Sequence, residues 1–125
     1  MTLVDTSSWI EYLRGTESEA GDRVEVLVLS GEAAWCDMTL VELWHGARGA
    51  KEKKELAGME KEIDRVSVDA GVWRLAAQLA LKSREKGLTV PLSDIIIAAC
   101  AVRNGLKLEH VDSHFDKLLP VARAL

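Results

Sequence analysis

The chain has 125 residues and carries 16 basic against 20 acidic side chains, a formal charge of −4; 48% of its residues are apolar and only two are proline. That balance excludes a disordered chain, and the length suits one compact domain over residues 1–125. The negative charge excludes a simple basic nucleic-acid binder, unless bound divalent cations offset the carboxylates and let phosphate approach as a ligand.

Residues 2–4 form a short apolar run that reads as a strand ending at Asp5, and Thr6, Ser7 and Ser8 offer N-caps for a helix through Trp9, Ile10 and Leu13 that stops at Gly15. Residues 17–29 repeat apolar positions at helical spacing, with Gly31 as the stop, and 33–37 read as a second strand. A helix begins at Thr39 and weakens at Gly46 and Gly49, and a polar helix covers 51–62. A third strand over 65–68 precedes the longest helical pattern, 70–86, closed by Gly87. After Pro91, Ser93 can cap a helix running to Arg103; 106–111 form a last strand, and 113–119 a short helical turn.

Short strands separated by helices imply right-handed crossovers and a parallel sheet covered on both faces. The expected fold is a three-layer α/β domain with four to five strands. In such sheets ligand sites collect at the carboxyl ends of the strands, which is where Asp5 and Asp112 fall.

Each acid also has a structural reading. Asp5 and Asp112 can cap the helices that follow them, and Thr39-Leu40-Val41-Glu42 fits a capping box in which Glu42 returns to the Thr39 backbone. Asp94 precedes the run 95–102, which is apolar on every face, so an ionised carboxylate there needs a metal, a basic partner or solvent. Thr6 can orient a water at a metal ion or act as a cap. Asp116 reads as a surface residue. His110 and His114 do not form a zinc pattern, and no phosphate-loop, dinucleotide or serine-hydrolase motif is present. Trp9, Trp35, Trp44 and Trp73 fall in apolar patterns and are expected in the core or a dimer interface. Cys36 and Cys100 match no CxxC spacing and read as reduced core thiols. The longest apolar stretch is too short to cross a bilayer and no leader pattern is visible, so a cytoplasmic protein is expected.

Four segments taken together resemble the PIN-domain family, specifically the VapC-type toxins of toxin–antitoxin pairs. They are Leu3-Val4-Asp5-Thr6-Ser7-Ser8-Trp9-Ile10, Thr39-Leu40-Val41-Glu42-Leu43, Leu92-Ser93-Asp94-Ile95-Ile96-Ile97-Ala98-Ala99 and Asp112-Ser113-His114-Phe115. His110 departs from the pattern, since such toxins often carry Thr or Ser two residues before the last acid. The resemblance implies a PIN fold, a Mg²⁺ or Mn²⁺ site formed by Asp5, Glu42, Asp94 and Asp112, an RNA substrate, a homodimer, and a small antitoxin that covers the site. Two rival functions stay open at this point: a non-catalytic dimeric binding module whose acids are caps or ion-pair partners, and DNA as substrate.

Overall fold

The structure, a computed structural model, describes residues 1–15 and 17–125. Its four strands are β1 (Thr2–Val4), β2 (Ala33–Cys36), β3 (Asp64–Val66) and β4 (Lys107–Glu109). Seven helices accompany them: α1 (Thr6–Arg14), α2 (Glu19–Leu29), α3 (Asp37–Gly46), α4 (Gly49–Glu60), α5 (Ala70–Glu85), α6 (Leu92–Arg103) and α7 (His114–Arg123). All strand pairs are parallel, in the order β3-β2-β1-β4.

Alternation along the short strands divides the core into two layers. Leu3, Ala34 and Cys36 face α5, α6 and α7, while Val4, Ala33 and Trp35 face the cluster made with Trp9, Val24, Leu40, Leu43 and Leu56 of α1 to α4. Trp9 and Trp35 are fully buried and meet with ring centroids 5.1 Å apart. Trp44 and Trp73 differ from the core reading, being 38% and 53% exposed. Cys36 and Cys100 are free and buried. No helix among the described residues is long and apolar enough to cross a membrane.

The chain departs from the sequence reading mainly at helix starts. The N-cap of α2 is Ser18, whose side chain accepts the Gly21 N–H at 3.0 Å. The cap position of α6 is Pro91, two residues earlier than a Ser93 cap, because proline fixes an extended lead-in without needing a side-chain bond. The last element is a ten-residue helix and not a short turn: Phe115, Leu118, Leu119 and Ala122 bury one face of α7, and Pro120 is accommodated inside it.

The strand order sets the location of a site. The chain moves from β1 outward through β2 and β3, then returns to place β4 on the other side of β1. The crevice beyond the carboxyl ends of β1 and β4 is therefore the switch point of the sheet, where neighbouring connections leave in opposite directions.

Helix α5 shows how the layer above that sheet is held. Val72, Ala76, Leu79 and Ser83 are its buried positions, at spacings of four, three and four, whereas Leu81 is 55% exposed. Leu79→Ala is expected to lower stability by about 2–5 kcal/mol, and Leu81→Ala to stay within about 0.5 kcal/mol. Chemical denaturation of the two variants checks this, and equal losses would contradict the assignment of the buried face.

Candidate metal centre

Asp5 leaves the end of β1 and opens α1. Its Oδ1 accepts the Ser8 amide N–H at 2.9 Å, and its own amide donates to the Glu109 carbonyl at 3.0 Å, which ties it to the end of β4. The helix-cap reading of Asp5 is thus real. It leaves the second carboxylate oxygen without a hydrogen-bond partner among the described residues. Asp5 is only 2% exposed, and burial pushes its carboxyl above the ordinary range; the Ser8 bonds and His110 oppose that shift, and the Asp94 charge adds to it.

Asp94 is the third residue of α6, in the first turn, where the helix dipole favours a negative charge. Its Oδ2 lies 3.0 Å from Nδ1 of His114. The same ring nitrogen is 3.0 Å from Oδ1 of Asp112, and that oxygen accepts the His114 backbone N–H at 2.9 Å. One ligand atom from each of Asp94, Asp112 and His114 lies within 4.8 Å of the others, a spacing that could hold a metal ion. Burial raises the Asp94 carboxyl, the His114 hydrogen bond opposes this, and the Asp112 charge raises it further.

Glu42 stands one step away. The Thr6 hydroxyl donates to its Oε1 at 2.7 Å, and the Thr39 hydroxyl lies 3.2 Å from the Thr6 oxygen. The capping-box reading of Thr39 and Glu42 is overturned. Helix α3 begins at Asp37, directly after β2, so Thr39 is a buried residue inside the helix and Glu42 turns across to α1. Asp37, the acid at that strand end, has its own partners: Arg65 Nε at 2.5 Å and the Val68 N–H at 2.8 Å.

The structure therefore gathers Asp94 and Asp112 into one group and brings Asp5 near enough for its charge and that of Asp94 to act on each other. It keeps Glu42 beside them through Thr6, the residue after Asp5. Sequence reasoning gives His114 no role at the site: it enters there only in a rejected zinc pattern and as part of the segment Asp112-Ser113-His114-Phe115. The signal was present in Asp112-Ser113-His114, where an acid and an imidazole flank the start of a helix. His110 Nδ1 lies 3.0 Å from the Asp112 carbonyl, and its Nε2 is 3.7 Å from the exposed Asp116. The donor set, carboxylate oxygens with one imidazole nitrogen, suits a hard divalent cation such as Mg²⁺ or Mn²⁺.

Comparison with known proteins identifies the family. The PIN domain family matches residues 2–118. Ribonuclease VapC11 of Mycobacterium tuberculosis is 36% identical over 121 residues, covering 93% of this chain and 90% of that protein. Ribonuclease VapC21 of the same organism is 28% identical over 104 residues, covering 81% of this chain and 75% of its own length. Among solved structures, VapBC2 from Rickettsia felis bound to a promoter DNA fragment contains a chain that superposes with a TM-score of 0.80 at 17% identity, covering 95% of this chain and 92% of that one. A chain of FitAB bound to a DNA fragment gives 0.77 at 22% identity, with 96% and 91% covered. At these identities the structural likeness establishes the fold.

The raised carboxyl of Asp94 fixes the sign of a pH effect. A group whose folded pKa exceeds its unfolded value gives its full stabilisation below the unfolded value, about 3.9, and loses it as the pH rises through the raised one. Asp94→Asn cannot ionise, so in metal-free buffer its Tm is expected to gain on that of the natural chain as the pH rises above about 4, the unfolded value. Thermal melts of both proteins from that pH upward check it; a Tm difference that does not move with pH would contradict it.

Proposed function

We propose, because this chain belongs to the PIN-domain family, that it is a divalent-metal-dependent endoribonuclease and the toxin of a toxin–antitoxin pair. The observation that carries the reading is the convergence of Asp94 and Asp112, with Asp5 beside them, at the switch point of a parallel sheet. We assign Asp5, Glu42, Asp94 and Asp112 as direct or water-mediated ligands of Mg²⁺, with Mn²⁺ as a substitute, within a ribonuclease domain spanning residues 1–125. A bound ion supplies a Lewis acid for the phosphate oxygens and lowers the pKa of the water that attacks phosphorus.

The chain's own residues prepare for that chemistry. Burial and mutual repulsion leave Asp5 and Asp94 short of positive charge, so a cation is favoured in the crevice. The Ser8 amide fixes one Asp5 oxygen and leaves the other to act as ligand. His114 bridges Asp94 and Asp112 and sets the orientation of both carboxylates. Thr6 anchors Glu42 and presents a hydroxyl that can orient the attacking water. With the carboxylates offset by cations, a chain of net charge −4 can accept a polyanion at this edge.

The relatives' names, VapC ribonuclease and VapBC complex, support RNA as substrate and a small cognate antitoxin as partner. Trp73, Leu81 and Leu92, each more than half exposed on α5 and α6, support a homodimer. The setting we infer is the cytoplasm.

Asp5→Asn and Asp94→Asn are each expected to reduce Mg²⁺-dependent RNA cleavage by at least about 100-fold, since even the loss of an outer partner of a metal site typically costs 10–100-fold. Unchanged cleavage by both variants would sink the assignment. Millimolar Mg²⁺ is expected to raise the Tm of the natural chain and to have a much smaller effect on Asp94→Asn, because an ion that binds only the folded state adds to its stability. An equal shift in both proteins would place the ion elsewhere.

A further inference from the structure

Behind Thr6 and Glu42 a file of hydroxyl and thiol groups runs into the core. Thr39 is wholly buried, in the first turn of α3. Its Oγ1 stands 3.2 Å from Oγ1 of Thr6 and 3.8 Å from Sγ of Cys36, a buried thiol at the end of β2. Thr6 in turn lies 2.7 Å from Oε1 of Glu42. Cys36, Thr39, Thr6 and Glu42 therefore form one continuous line, with its first two members out of reach of solvent and its last two half-buried.

The directions of these bonds follow from counting protons. A carboxylate only accepts and Thr6 has a single hydroxyl proton, so that proton goes to Glu42. A hydroxyl shut off from water must give its own proton to the protein. Among the described residues the Thr39 hydroxyl has two groups in reach, the Thr6 oxygen and the Cys36 sulfur, and the oxygen is both the closer and the better acceptor. Thr39 thus donates to Thr6, and Thr6 keeps one lone pair uncommitted.

We propose that Thr39 is a positioning residue of the site: its proton, given to Thr6, holds the Thr6 hydroxyl on Glu42 and leaves Thr6 only a lone pair to offer the attacking water. That role rests on the ribonuclease reading above. The polarity suits hydrolysis, because a water that donates to Thr6 keeps its own lone pair for phosphorus, whereas a proton pointed at the water would engage that pair. Hydrogen bonds in a line polarise one another, so the loss of an inner member is felt at the outer end.

Thr39→Val keeps the branched shape and removes the hydroxyl; Thr39→Ser keeps the hydroxyl. Thr39→Ala takes the place of Thr39→Val should that variant fail to fold. A double-mutant cycle in metal-free buffer tests the line apart from catalysis: Thr39→Val, Glu42→Ala and the two combined are unfolded with urea, with and without Thr6→Val. The effects of Thr39→Val and Glu42→Ala on the unfolding equilibrium constant are expected to depart from a simple product by at least about twofold, the lower limit for members of one hydrogen-bond network, and to become a simple product once Thr6→Val breaks the line. With Mg²⁺ and RNA saturating, Thr39→Val is expected to lower kcat about tenfold, the lower end for an outer partner of a metal site, and to leave KM unchanged; Thr39→Ser is expected to restore most of the rate.

Independent effects of Thr39→Val and Glu42→Ala in the natural chain, or a coupling that persists with Thr6→Val, overturn the assignment. So does a Thr39→Val chain that cleaves at the natural kcat, or a Thr39→Ser chain as slow as Thr39→Val. A natural chain that cuts no RNA overturns the ribonuclease reading, and with it the role of Thr39 toward the water, even where the coupling is found.

Discussion

Carboxylates held side by side in a partly buried crevice repel one another and lose solvation together, and the architecture is arranged around that cost. Asp94 and Asp112 approach closely enough to share one imidazole, and Asp5 lies in the field of Asp94 while almost wholly removed from water. Such a group persists only where the surrounding structure is well determined. Two packed helical layers and a central strand with no solvent-facing side provide that determination. Local dipoles help: Asp5 is the N-cap of α1, Asp94 stands in the first turn of α6, and Asp112 lies just ahead of α7. The three helix starts point toward one place because β1 and β4 are neighbours.

Capping a helix does not disqualify these acids as metal ligands. One oxygen of Asp5 satisfies a backbone N–H that would otherwise be orphaned, and the other has no hydrogen-bond partner among the described residues. Asp112 likewise receives the His114 N–H. A carboxylate that caps a helix is restrained in rotamer and in position, which is what a ligand with a defined geometry needs. Glu42 reaches a similar restraint by another route, through the hydroxyl of Thr6, so the residue next to one acid positions another.

Much of this could be read from residues alone. The order of elements and the parallel sheet followed from alternating short apolar runs and helical patterns, and Asp5 announced itself by following β1 directly. Boundaries were less visible. Nothing in Asp37-Met38-Thr39 shows that α3 starts at Asp37, because its side chain is drawn to Arg65 and Val68, some thirty residues away, and makes no local cap. The same long-range pairing hid the true partner of Glu42, which lies 36 positions earlier in the chain. His114 carries no visible role in the sequence because its meaning depends on Asp94, on a different helix. The length of α7 was masked by Pro120, which suggests a break that the packing of Phe115, Leu118 and Leu119 overrides.

The pairing of β1 with β4 joins residues 2–4 to residues 107–109. During synthesis β1 emerges first and must wait, its Leu3 and Val4 without their final neighbours, while more than a hundred residues follow. Contacts so distant in sequence form late, after the intervening loops are closed. A nascent chain therefore cannot assemble its acidic centre until β4 and the start of α7 have been made. Incomplete or truncated copies lack Asp112 and His114 and leave Asp5 and Asp94 without the rest of the site. Strand order thus makes the acidic centre a product of the most sequence-distant contact in the sheet.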